Sequence, residues 1–319
     1  MTHEHPTLTD GTVTLRPSAP TDHPMAVDKD AALAFTVVVD DESVGNLVVV
    51  RKDATTVWLE GGLDDAHRGR GYATRALRVL VDWSLTAEHE GGLGVSRVES
   101  RIPVDAEGAL RVATRAGLRR EGVERVVPGE STTEGYVVLA RLATDPPLSE
   151  PGAFRALLNS FLPRKRAISQ MLVRDHDGRV LMCQLTYKQD WDLPGGVVEV
   201  GESPQVAVAR EVTEELALEI PAGRLLLTDW LPTWGGWDDA ICLVFDGGEH
   251  DASITEQIVE QVREIRSARF CTLAEVHEHA AEFTARRIET ALASAADSPG
   301  AAAYTESGRS HPDPAQISR

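Results

Sequence analysis

Three glutamates, Glu211, Glu214 and Glu215, stand at i, i+3 and i+4, a spacing that places three carboxylates on one face of a helix. Like charges at that separation repel and destabilise a bare helix. Such a face is therefore either left to solvent or held by a cation. Carboxylate oxygens are hard ligands suited to Mg²⁺ or Mn²⁺, and Mg²⁺ commonly combines a few carboxylates with the phosphate of a substrate. The flanks favour the cation. Pro194-Gly195-Gly196 reads as a flexible turn through which backbone can approach a ligand, and Glu202 adds a carboxylate at the entry to the helix. Ser203 is an N-cap residue and Pro204 suits the first helical position. Val206, Ala209, Val212 and Leu216 supply helical apolar spacing.

These residues resemble the box of the Nudix family: glycine, five residues, glutamate, seven residues, Arg-Glu, an apolar residue, any residue, Glu-Glu, any residue, glycine, an apolar residue. Gly196, Glu202, Arg210, Glu211, Val212, Glu214, Glu215 and Leu218 fall into place, and Ala217 stands where the family has glycine. The resemblance spans about 165–294. It implies a hydrolase that cuts the pyrophosphate bond of a nucleoside diphosphate linked to another moiety. Gly196, Glu211, Glu214 and Glu215 would hold the divalent metal, and Arg210 would orient a carboxylate through a bidentate ion pair. Such a metal neutralises a diphosphate and lowers the pKa of a water. The proton of that water would go to Glu214, to Glu215, or to a later loop glutamate, for which Glu256, Glu260 and Glu264 are the candidates. Tyr187, Trp191, Trp234 and Trp237 could stack on a base or simply pack at strand ends. Nucleoside triphosphates, ADP-ribose and dinucleotides all remain open as substrates.

A second motif, Arg68-Gly69-Arg70-Gly71-Tyr72-Ala73, leads directly into a helical pattern. Helix N-terminal N–H groups and the positive dipole end favour an anion, and two arginines with two glycines suit a pyrophosphate. With the strand-like run 56–63 before it and an amphipathic helix after it, this turn resembles the acetyl-CoA site of GNAT-family N-acetyltransferases. Thr12–Pro17 resembles that family's first strand and Gly117–Gly122 a later segment, with Leu118 for phenylalanine; Ala106 and Ala109 replace its asparagine and serine. The likeness covers about 11–142 and is nearest to the ribosomal-protein and aminoglycoside acetyltransferase branch. It implies acetyl-CoA binding, with Glu60 as a candidate general base. Three functions from different classes follow: a hydrolase fused to a GNAT-like domain, an N-acetyltransferase as the main activity, or an acetyl-CoA-sensing binding protein with an accessory Nudix domain.

The elements that must position these motifs are mixed α/β throughout. Together with the resemblances they predict two domains: an N-terminal GNAT-like mixed-sheet domain truncated at its first helices, for which only about 18–33 is available, and a C-terminal Nudix α/β/α sandwich. The expected boundaries are a flexible start (1–10), the GNAT-like domain (11–143), a Pro-rich linker (144–164) with a short apolar helix over 154–161, the Nudix domain (165–294), and a disordered tail (295–319) with little to bury.

The chain's 319 residues suit two domains, and its formal charge of −18 argues against general nucleic-acid or anionic-membrane binding. A small phosphorylated ligand remains open, since local groups hold it. Cys183, Cys242 and Cys271 lie in apolar, strand-like stretches without metal-ligand spacing, which predicts buried thiols in a reducing compartment. The start has no signal-peptide pattern, and no apolar run approaches the roughly 18 residues of a membrane helix. The expected location is the cytoplasm, with a small-molecule nucleotide-type substrate and an oligomeric state the sequence leaves open.

Overall fold

The computed structural model describes residues 6–18, 32–126, 135–297 and 300–310. It divides into two compact units, 1–163 and 164–319. The shortened stretch expected to replace the first GNAT helices falls at 19–31, outside the described residues.

The first unit is one mixed sheet with helices. Its elements are β1 (Leu8–Thr9), β2 (Thr14–Ser18), β3 (Ala32–Val39), β4 (Glu42–Arg51), β5 (Thr56–Leu63), α1 (Tyr72–Leu85), β6 (Arg97–Pro103), α2 (Glu107–Arg115), β7 (Arg119–Glu124), β8 (Tyr136–Leu142) and α3 (Pro151–Phe161). The strand order is β1-β2-β3-β4-β5-β6-β8-β7. All neighbours run antiparallel except β5 and β6, which are joined by the crossover helix α1, as a parallel pair requires. Alternation along the strands sends Val57, Leu59 and Val98 into a core with Leu80 and Val81 of α1 and Ala113 of α2. A smaller group, Ala32, Ala34 and Val48, forms a separate cluster. The stretch expected to be a linker contributes α3, whose Ala153 and Leu157 are buried and which packs on β7. The start expected to be flexible contributes β1, paired at Leu8 and Thr9 with β2.

The second unit comprises β9 (Arg166–Asp175), β10 (Val180–Leu185), β11 (Gly195–Val197), α4 (Pro204–Leu216), β12 (Leu225–Leu231), β13 (Ala240–His250), β14 (Ile265–Cys271), α5 (Leu273–His279), α6 (Glu282–Ala296) and β15 (Ala303–Glu306). The sheet order is β14-β10-β9-β13-β12-β15, with β11 on β9. Successive residues of β9 face opposite ways. Met171 and Val173 pack with Val208, Val212 and Leu216 of α4, while Leu172 packs with Val276 of α5 and Ala285 and Ile288 of α6. The layers are therefore helix, sheet, helix.

Three expectations need correction here. The tail from Ala295 is not without structure: α6 runs to Ala296, and β15 pairs in parallel with β12. What holds β15 is polar, because Thr305 donates its hydroxyl to buried Asp229 at 2.7 Å; a search for apolar residues passes over such an anchor. Residues 311–319 lie outside the described residues. Second, the Pro-Gly-Gly turn is strand from Gly195 onward, pinned on β9 through Gly195–Gln170 and Gly196–Ser169. Third, the buried stripe of α4 is Val208, Val212, Glu215 and Leu216, while Val206 is exposed. Among the described residues no helix is long and apolar enough to cross a membrane. Cys183, Cys242 and Cys271 are free and buried.

Candidate functional site

α4 begins as its sequence dictates. Ser203 accepts a hydrogen bond from the N–H of Val206 at 3.4 Å, and Pro204 occupies the first turn. Because successive residues turn by about 100°, Glu214 and Glu215 flank Glu211 and fan apart. Glu215 falls on the buried stripe and is 5% exposed, Glu211 is half-buried, and Glu214 is exposed. The shared face expected from spacing is thus a fan, and each carboxylate has a different partner.

Glu215 accepts the Gly195 N–H at 2.9 Å. Burial is the main cause that raises its pKa, to about 8, with Glu211, Glu264 and Asp192 adding to the rise against that single hydrogen bond. Glu211 lies against Gly196, where a Cβ would come within 2.6 Å of its carboxylate and displace it. Burial pushes the Glu211 carboxyl up as well, against the pull of Arg210. Arg210 grips Glu202 at both carboxylate oxygens (3.0 and 3.1 Å) and reaches Glu214 at 2.9 Å and Glu211 at 3.1 Å. That bidentate pair holds the Glu202 carboxyl below its usual range.

Among the described residues, no three His, Cys, Asp or Glu side chains are drawn together around a common point. The donor set nonetheless fits a hard divalent cation. Glu215 is a buried carboxylate with no cation against it, beside a second desolvated carboxylate that packs on the bare backbone of Gly196. Of the three outer glutamates, Glu264 is among the main groups that push up Glu211 and Glu215.

The aromatic candidates divide. Trp191 is packed, stacked on His279 at 5.0 Å with the Arg269 guanidinium over its ring. Trp234 and Trp237 pair across a tight turn and stay exposed. Tyr187 is 71% exposed and within electrostatic reach of Glu211, Glu215 and Glu264.

In the other unit, Gly71 is the N-cap of α1 with φ 82°, and no side chain caps the helix. Gly69 is left-handed too, with φ 77°. Arg68 is tied to Asp65 at 2.8 Å, Arg70 is exposed, and Tyr72 and Ala73 pack against the core. Glu60 is half-buried on β5, and Ala106 caps α2 without a side-chain hydrogen bond.

A family model for the NUDIX domain matches residues 163–292. The chain is also 30% identical over 131 residues to "Probable N-acetyltransferase YjcK" of Bacillus subtilis (strain 168), covering 39% of this chain and 70% of that protein. The chain belongs to the N-acetyltransferase family of that relative, and it carries a NUDIX domain over residues 163–292. A "MutT-like protein" of Streptomyces ambofaciens is 39% identical over 59 residues, 18% of this chain and 38% of that relative. Among solved structures, Mycobacterium smegmatis RimJ in complex with CoA-disulfide is 17% identical, covering 49% of this chain and 95% of that one with a TM-score of 0.36.

Sequence reasoning missed two features of this GNAT–Nudix fusion. β5 and β6 pair along the backbone only over Thr56–Trp58 with Arg97–Glu99, although both continue beyond and the Ser100 hydroxyl still donates to the Leu59 carbonyl at 3.2 Å; nothing in a single strand's pattern encodes where its pairing ends. The other is a buried polar chain through Asp192, Gln170, Arg287 and Asp229. Its signal was present: Arg287 sits in the apolar stripe Thr284, Ala285, Ile288 and Ala291 of α6.

Proposed function

We propose that the Nudix unit hydrolyses the pyrophosphate bond of a nucleoside diphosphate linked to another moiety, with Mg²⁺ or Mn²⁺ held by Glu211, Glu214, Glu215 and the backbone of Gly196. The observation that carries this reading is Glu215, a carboxylate buried without a counter-cation at the centre of the family's box. A bound cation there would neutralise the diphosphate and acidify a water. The chain's own residues do the rest. Arg210 ties Glu202, Glu211 and Glu214 together, and the Gly195 N–H orients the Glu215 carboxylate. Glu264, the outer glutamate beside the cluster, is the group assigned to take the water's proton, with Glu214 the alternative. Water oxygen bonds to phosphorus, the anhydride P–O bond breaks, and two phosphorylated products leave.

The test is a hydrolysis screen with and without Mg²⁺ against nucleoside triphosphates, ADP-ribose, nucleotide sugars and dinucleotides. Turnover requires metal in the wild type and falls by roughly 10²–10⁴ in Glu214→Gln and Glu215→Gln. Full activity in both variants contradicts the assignment.

For the GNAT unit, the end of β5–β6 backbone pairing at Trp58 and Glu99 and the uncapped start of α1 support acetyl-CoA binding, with the pyrophosphate at Arg68, Gly69, Arg70, Gly71, Tyr72 and Ala73. N-acetyl transfer would be a second activity, with Glu60 the candidate base. Calorimetry with acetyl-CoA tests this, and no binding at millimolar ligand contradicts it.

A further inference from the structure

Beside the carboxylates of the Nudix unit is a cavity of about 520 Å³ lined by Gln184, Thr186, Tyr187, Lys188, Gln189 and Arg266. It adjoins the proposed site, because the Thr186 N–H donates to the Glu264 carbonyl at 2.9 Å and Tyr187 stands within the field of Glu211, Glu215 and Glu264. Two cations border it. Arg266 is exposed on β14 and has no ion pair among the described residues, in a chain that carries 50 acidic against 32 basic residues. A guanidinium left unpaired amid such an excess of acid is available to an outside anion.

Lys188 is held differently. Its ammonium donates to Asp192 at 2.7 Å, and the Gln170 amide donates to the other Asp192 oxygen at 2.7 Å. Gln170 in turn accepts from Arg287 at 2.9 Å, and Arg287 donates to Asp229 at 2.8 Å. Asp229 also accepts the Thr305 hydroxyl and, at 2.9 Å, the Gly308 N–H. Gln170, Arg287, Asp229 and Thr305 are all buried. A flexible lysine is thereby ordered before any ligand arrives, by a chain that ends on the last strand, and such preorganisation lowers the cost of binding.

We propose that this cavity binds a phosphate carried by the moiety on the far side of the scissile anhydride, with Arg266 its principal partner, Lys188 the second, and Asp192 a positioning residue. This rests on the hydrolase reading above. A divalent cation on the carboxylates answers the charge of the diphosphate alone, so a further phosphate among four acidic side chains needs cations of its own. A guanidinium fork matches phosphate oxygens two at a time, and the Gln184, Thr186 and Gln189 side chains suit the hydroxyls of a sugar.

The test uses the full chain with Mg²⁺ and two substrates, ADP-ribose and ADP-ribose phosphorylated on its terminal ribose. Wild type favours the phosphorylated compound in kcat/KM. Arg266→Ala lowers that preference ratio about tenfold, Lys188→Ala lowers it less, and Lys188→Arg retains most of it. Asp192→Ala, which leaves Lys188 charged but unanchored, lowers the ratio in the same direction. A ratio unchanged in both Arg266→Ala and Lys188→Ala overturns the proposal, whether turnover of the two substrates falls together or not at all. Binding of the α,β-methylene analogues, which cannot be cleaved, separates the two readings. If wild type cleaves neither substrate but Arg266→Ala weakens the phosphorylated analogue about tenfold, the cavity assignment stands and the hydrolase reading fails.

Discussion

Both units set a glycine-bearing turn before a helix, yet the phosphate sites proposed for them have opposite electrostatics. In the GNAT unit, α1 starts at left-handed Gly71 with no side-chain cap, so its first N–H groups and Arg70 face outward as positive ends. In the Nudix unit, Ser203 caps the start of α4, and the carboxylates proposed to hold a cation lie two to three turns along. One site is positive and exposed at rest. The other is negative, partly buried, and raises the pKa of Glu215 to about 8. On the function proposed above, a metal is integral to the second arrangement and plays no part in the first.

The largest expected consequence lies in pH. Below its usual 4.5 the Glu215 carboxyl is protonated in folded and unfolded chains alike, whereas between 4.5 and about 8 only the unfolded chain gives up the proton. The folded state binds more protons across that window, so metal-free stability falls as pH rises through it and levels off above it, by on the order of 5 kcal/mol. Glu215→Gln removes this slope and is the more stable protein at pH 8 without metal, as urea unfolding at a series of pH values will show. The GNAT loop carries no such group, and its variants leave the slope unchanged.

The next effect breaks the comparison from the other side. Arg70→Glu places a negative charge at the uncapped start of α1 and weakens acetyl-CoA binding by roughly tenfold or more, read by calorimetry. Mg²⁺ concentration leaves that affinity unaltered.

Two smaller changes mirror one another at the helix ends. Gly71→Ala forces a Cβ into a left-handed N-cap with open space around it, so its cost is conformational alone, about 1 kcal/mol. Ala217 is itself left-handed, with φ 57° at the C-cap of α4, and Ala217→Gly stabilises by about 1 kcal/mol. Denaturant midpoints measure both, and a gain from Gly71→Ala or a loss from Ala217→Gly contradicts the backbone account.

The legible parts of this molecule were those written in local spacing. Ser203-Pro204 gave the start of α4, and the box from Gly196 to Leu218 located the carboxylates. The strain at Ala217 was visible as an alanine in a glycine position. What spacing could not supply was rotation and distance. The apolar periodicity of α4 placed Val206 inward, whereas packing on β9 turns Val208 and Glu215 inward and desolvates the latter. β15 was hidden because its anchor is a hydroxyl on a buried aspartate 76 residues away, and no local pattern carries a contact of that range.

The central claim, that the buried carboxylates of α4 hold a divalent cation, is tested most directly by Mg²⁺ titration calorimetry near pH 7 in buffers of different ionisation enthalpy. With its pKa at about 8, Glu215 is mostly protonated before metal arrives and must release its proton to become a ligand. The account predicts a buffer-dependent heat corresponding to about one proton released per metal site in wild type, and its loss in Glu215→Gln. Buffer-independent binding, or the same release in both proteins, would contradict it.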